Sequence, residues 1–152
     1  MSHRQSLGKS ITTEDIRYWF RNQPSAPCLS RSGLLWRRHD HRAGFTIQVE
    51  EPETDPPNHL SVEVCLDGDD YDLRVPLSDL HVDRFTAESC LRRQNGHLRQ
   101  WISCEVSEHG TLFIRAHASK SACVERIQAL LETADRLNLE LSRQPQSPAQ
   151  HP

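Results

Sequence analysis

Three stretches of this 152-residue sequence hold residue types that could do chemistry. In His39-Asp40-His41 the two imidazoles are two positions apart, so on an extended strand they project to one side and could begin a zinc site. Zinc needs a third and usually a fourth ligand, and the spacing of Cys28 and His59 ties neither to the pair. Asp67 to Asp72 gathers four aspartates around Gly68, which invites a calcium loop. The twelfth position from Asp67 is Ser78, however, where an EF-hand needs a bidentate glutamate. A charged β turn suits the Asp and Gly preferences better. Cys104 and Cys123 could act as nucleophiles beside His97 or His117, but both fall on apolar faces, where burial raises a thiol pKa and shields it. Glycine-rich phosphate loops, G-x-S-x-G elbows and H-E-x-x-H are absent. The residues therefore predict no enzyme, no metal and no cofactor.

A fourth grouping, Arg92, Arg93 and Arg99 with Trp101, combines cations with an aromatic ring and could touch nucleic acid. Non-specific binding of that kind needs several phosphate contacts. A net charge of −3 with interleaved signs works against it, and 16 of the 18 basic residues are arginine, as a GC-rich coding sequence would give. The patch stands as the rival reading, with nucleic acid an unlikely or indirect partner.

The elements that must position these residues follow from periodicity. Trp101 to Leu141 organises the chain: Ile102, Cys104 and Val106 alternate with polar residues, as do Leu112, Ile114, Ala116 and Ala118 after the turn Glu108-His109-Gly110. This predicts a hairpin. A helix follows from about Ser119–Ser121, capped by a serine, with Cys123, Ile127, Leu130, Ala134, Leu137 and Leu141 on one face, widened by Val124 and Leu131. Glu125, Arg126, Gln128, Glu132, Asp135 and Arg136 are expected on its polar side. Upstream, Thr12 caps a helix stapled by Ile11 and Ile16, with Trp19 and Phe20 as core anchors and an end by Pro24. Strands are expected at Leu29 to Trp36, Phe45 to Glu50, Leu60 to Leu66 and Tyr71 to Val75, with an exposed proline-rich loop over Glu51 to His59. A middle helix over about Leu80 to Gln94 carries Val82, Phe85, Cys90 and Leu91, which cannot all face one sheet. Val82, Phe85 and Leu91 are therefore the candidate dimer or partner interface.

A chain of this length buries a core without staples. Five cysteines, none in a C-x-x-C spacing, suggest a reducing compartment. The polar start lacks the apolar run of a signal peptide and no stretch is long enough to span a bilayer, so the expected location is cytoplasmic. Residues 1–10 read as a flexible leader, 11–142 as one domain and 143–152 as a disordered tail. Strand runs broken by helices predict an α+β fold, an antiparallel sheet with helices packed on one face.

The element order, with Asn95-Gly96-His97-Leu98-Arg99-Gln100-Trp101 and Ser107 through Arg115, resembles the bacterial YbjN family, which is similar in fold to class I chaperones of type III secretion. The resemblance implies an α-β-β-β-α-β-β-α unit that is usually dimeric, binds other proteins and catalyses nothing, with loose links to bacterial stress response and regulation. The reading is a homodimeric, non-enzymatic adaptor or chaperone-like module that holds another protein.

Overall fold

Alternating apolar residues build one antiparallel sheet, and the computed structural model describes residues 7–22, 26–54, 58–77, 83–95 and 101–143 of it and its helices. The strands are β1 (Cys28–Leu29), β2 (Leu35–His41), β3 (Gly44–Glu51), β4 (Asn58–Asp67), β5 (Asp70–Pro76), β6 (Ser103–Val106) and β7 (Leu112–Ala118), and the helices are α1 (Thr13–Asn22), α2 (Arg84–Asn95) and α3 (Cys123–Ser142). The strands lie in the order β1-β2-β3-β4-β5-β7-β6, every pair antiparallel. Phe45, Ile47 and Val49 of β3, Leu60, Val62 and Val64 of β4, Leu73 and Val75 of β5, and Ile114 and Ala116 of β7 are buried on one face. Across that face lie α1 and α3, as an α+β fold requires. Trp19 of α1 stacks on Trp36 at 6.3 Å, and Phe20 meets Phe45 and Tyr71 edge-on at 5.1 and 5.5 Å, so both aromatics anchor the core. Cys123, Ile127, Leu130, Leu131, Ala134, Leu137 and Leu141 of the α3 stripe are buried, and Val124 is partly buried against them.

Among the described residues five strands precede α2, one more than the alternation predicts and two more than the order the resemblance implies. The expected strand over Leu29 to Trp36 is broken because Gly33 takes φ 83°, with its N–H on the Ser30 carbonyl at 3.0 Å and Ser30 N–H on Leu34 O at 2.8 Å. A type I turn followed by a left-handed residue is a hairpin connection, so this stretch makes β1, a turn and β2. The loop over Glu51 to His59 is also shorter than expected, since Glu51 and Asn58 already pair; residues 55–57 lie outside the described part.

The leader is corrected for part of its length. Leu7–Ser10 is a 3-10 turn with Leu7 buried. Gly8 N–H donates to Asp135 Oδ2 at 3.0 Å, and a Cβ on Gly8 would come within 2.9 Å of Glu132 Cα. Asp135, expected on the polar side of α3, is therefore buried under this turn. The predicted cap at Thr12 is present, its hydroxyl accepting from Asp15 N–H at 3.2 Å. The serine cap of α3 is not: Ala122 is its N-cap without a side-chain bond, and Ser119 and Ser121 bond each other instead. Helix α2 starts at Arg84 rather than Leu80, with Thr86 N–H donating to Asp83 Oδ1 at 2.7 Å. Residues 1–6, 78–82 with the candidate Val82, 96–100 with Arg99, and the tail from 144 lie outside the described part.

Candidate interaction site: the edge of β6 beside α2

Strand β6 ends the sheet, and its hydrogen-bond pattern decides what it can offer. Ser107 N–H donates to Thr111 O at 2.9 Å, and Gly110, at φ 82°, donates to Ser107 O at 3.0 Å. On the other side of β7, Leu77 N–H donates to Leu112 O at 2.9 Å. Antiparallel pairs alternate between bonded and non-bonded residues. With Glu105 opposite Phe113 and Ser103 opposite Arg115, both observations assign those two pairs the inward bonds. The N–H and C=O groups of Cys104 and Val106 then point away from β7, toward the side where no strand pairs among the described residues.

That side is a groove of about 590 Å³ lined on one wall by Arg84, Glu88, Leu91 and Arg92 of α2 and on the other by residues 102–106. The wall residues of α2 recur at one-turn spacing, so they share a face. Ala87, Cys90 and Leu91 are buried, holding α2 in place. Arg84 Nε donates to Glu88 Oε1 at 2.9 Å and Arg92 Nη2 lies 3.9 Å from Glu88 Oε2, giving the wall an Arg-Glu-Arg alternation. Phe85, next to Arg84 on α2, is 73% exposed, and Val106 is 45% exposed at the far end of the strand. Of the interface residues expected from sequence, Phe85 is open, whereas Leu91 is buried at the groove wall because the helix turns it inward. The contribution of β6 had no sequence signal of its own: a strand that closes a sheet and one that ends it share the same alternation.

The cations and ring of the expected nucleic-acid patch are spread over different partners. Arg93 reaches α3, with Nη2 2.8 Å from Glu140 Oε1, while Arg92 faces the groove. Trp101 is half-buried under the Arg126 guanidinium, 4.6 Å away, and Arg126 also donates to His117 O. His39 and His41 sit on β2, His41 Nε2 at 2.7 Å from Thr46 Oγ1, and Asp40 pairs with Arg38. Among the described residues no three His, Cys, Asp or Glu side chains gather as metal ligands. The Asp67 to Asp72 stretch is a tight turn at Gly68 (φ 64°), and Asp72 is held on the outer face of the sheet by Arg115 Nε at 2.8 Å and Arg74 Nε at 3.1 Å.

No family model matches this chain. Comparison with curated proteins and with solved structures likewise returns no match. No helix among the described residues is long and apolar enough to cross a membrane.

The two candidate thiols are buried as the alternation predicts. Burial, aided by Glu88, pushes Cys104 up to about 11, and burial with Glu125 pushes Cys123 up to about 12. Their raised values contribute stability that is complete below the ordinary thiol value of 9.0 and is lost as pH climbs through about 11 for Cys104 and about 12 for Cys123. The midpoint of urea unfolding should therefore decline across that interval. A thiol-reactive dye at pH 8 should label exposed Cys28 within the folded protein, and the buried cysteines only on unfolding. Fast labelling of folded Cys104 would restore it as a nucleophile candidate.

Proposed function

We propose that this protein is a non-enzymatic protein-binding module of adaptor or chaperone-like type, acting in the cytoplasm and able to form a homodimer. Its working element is the open edge of β6. The supporting observation is the pair of outward backbone sets at Cys104 and Val106, beside a groove walled by α2. An extended segment of another protein, or of a second copy, added there satisfies main-chain groups on both sides, and alternate side chains enter the groove. The resemblance to the YbjN family read from the element order is the ground for placing it in bacterial stress response or regulation.

The opposite edge makes a useful contrast. Beyond β1, strand β2 presents Arg37, Arg38, His39, Asp40 and His41, charges of the kind that discourage added strands. The edge of β6 carries Ile102, Cys104 and Val106 with only Glu105 charged. Nucleic acid is the weaker reading, because Arg92 and Arg93 already face Glu88 and Glu140.

The test uses Val106→Pro, which removes an N–H that β7 does not use. A fluorescent peptide selected from a random extended-peptide library against the wild type should bind the variant at least tenfold more weakly, with circular dichroism unchanged. Equal affinity for the two would remove strand addition at β6 from the account.

A further inference from the structure

We infer that the outer face of the sheet binds a free apolar α-amino acid in a cleft over β2, β3 and β4, with Arg37 taking its carboxylate and Glu50 its ammonium. The cleft lies on the face away from α1 and α3 and at the end of the sheet opposite β6, so it stands independently of strand addition there.

The register brings these residues together. Trp36, Ile47, Val49 and Leu60 are buried on the helix side, so by strand alternation Leu35, Arg37, Gln48, Glu50 and His59 project from the other face. Arg37 is paired with Gln48, Leu35 with Glu50, and Glu50 with His59. With Val49 they line a cleft of about 220 Å³. That is below the roughly 300–1,000 Å³ of pockets for drug-sized ligands, which limits the occupant to a molecule of amino-acid size.

Charge selects the ligand. Arg74 and Arg115 on the same face each hold Asp72, at 3.1 and 2.8 Å. Arg37 bonds no carboxylate among the described residues. Glu50 is its diagonal neighbour, at a spacing of about 7–8 Å that long side chains can span, and yet no hydrogen bond or ion pair joins the two. The two charges flank the cleft instead. A simple anion at Arg37 would meet the Glu50 carboxylate, and a simple cation at Glu50 would meet the Arg37 guanidinium. A zwitterion satisfies both. Its carboxylate accepts from the Arg37 fork and the Gln48 amide, and its ammonium donates to Glu50 and to a neutral His59 ring nitrogen.

Strand β1 sets the apolar end. Leu29, 61% exposed, is paired with Leu35, and opposed residues share a face, so two leucines form an apolar shelf beside the charged pair. A side chain of valine, leucine or isoleucine size covers it. Arg37, Glu50 and the shelf thus fix three substituents of the ligand Cα, which selects the L enantiomer.

Backbone amide chemical shifts of the full chain test the site, with L-leucine titrated to about 10 mM, ten times a Kd of about 1 mM. Saturable shifts should map to Leu35, Arg37, Gln48, Glu50 and His59. N-acetyl-L-leucine lacks the ammonium, L-leucine methyl ester lacks the carboxylate, and D-leucine misplaces one group. Each should bind roughly tenfold or more weakly, the worth of one charged hydrogen-bonding contact. Arg37→Gln and Glu50→Gln should each weaken L-leucine to a similar degree with circular dichroism unchanged, and Arg37→Gln should also narrow the gap between leucine and its methyl ester. The absence of saturable shifts at that concentration, or shifts that map elsewhere on the chain, would remove the site. Equal binding of leucine and its N-acetyl form would reduce it to an anion contact at Arg37 and overturn the zwitterion, as would wild-type affinity in both variants. Peptide binding at β6, read by Val106→Pro, stands or falls separately from all of these outcomes.

Discussion

Gly44→Ala should destabilise the fold by about 3 kcal/mol or more, at the upper end of what forced overpacking costs. The residue opens β3 opposite Cys65, and a Cβ built there would fall 1.9 Å from the Val64 carbonyl oxygen and 2.9 Å from its carbon. Those atoms are backbone in the middle of β4, so no rotamer change relieves the clash. The strands must separate, at the same place where Leu66 N–H donates to Ala43 O at 2.9 Å. The loss is concentrated in the β3–β4 pairing, which carries Phe45, Ile47, Val62 and Val64 of the core. Urea unfolding monitored by tryptophan fluorescence measures it. A change under about 1 kcal/mol, the range of a minor core adjustment, would show that β4 yields there.

The second large effect is expected at Leu130→Ala, about 2–5 kcal/mol through the lost methyl groups and the cavity left behind. Leu130 is fully buried at the centre of the α3 stripe, flanked by Ile127, Leu131 and Ala134. It sits where α3 crosses the sheet, so neighbours on two sides are fixed and the site collapses poorly. Phe85→Asp, by contrast, should leave unfolding unchanged, because that ring contributes little burial to a single chain. Two variants with the opposite ranking would exchange the roles of α2 and α3.

Much of the scaffold is legible in the chain because periodicity is a local signal. Ile102, Cys104, Leu112 and Ile114 face inward as their alternation requires, and the α3 stripe is the core helix its spacing describes. Thr12 caps α1, and the turn at Gly110 is where the glycine puts it. What stayed hidden is set by distant partners. Asp135 reads as a polar-face residue until Gly8, 127 positions away, supplies its N–H. Leu91 reads as an interface residue until α2 rotates it inward. The candidate site belongs to the second class: nothing in Ser103–Val106 says whether β7 has a neighbour on one side or β6 has one on both. That follows only from β7 pairing with β5. Arg38 is similar, a cation in a strand whose guanidinium donates at 2.9 Å to the carbonyls of both Trp19 and Phe20, closing α1 from another element.

The placement of β7 between β5 and β6 also has a consequence for the order in which the chain assembles. Strands β1 to β4 pair only with sequence neighbours, as does β5 on its β4 side, so this meander can form while the ribosome is still making the rest. The last of them, β5, has no neighbour on its far side until Leu112–Ala118 has emerged, beyond the whole of α2 and β6. During that interval a nascent sheet shows a bare edge holding Leu73 and Val75. The aspartates at positions 67, 69, 70 and 72 border that edge, and charges beside an apolar strand are what keep a waiting edge from pairing with its neighbours on a polysome.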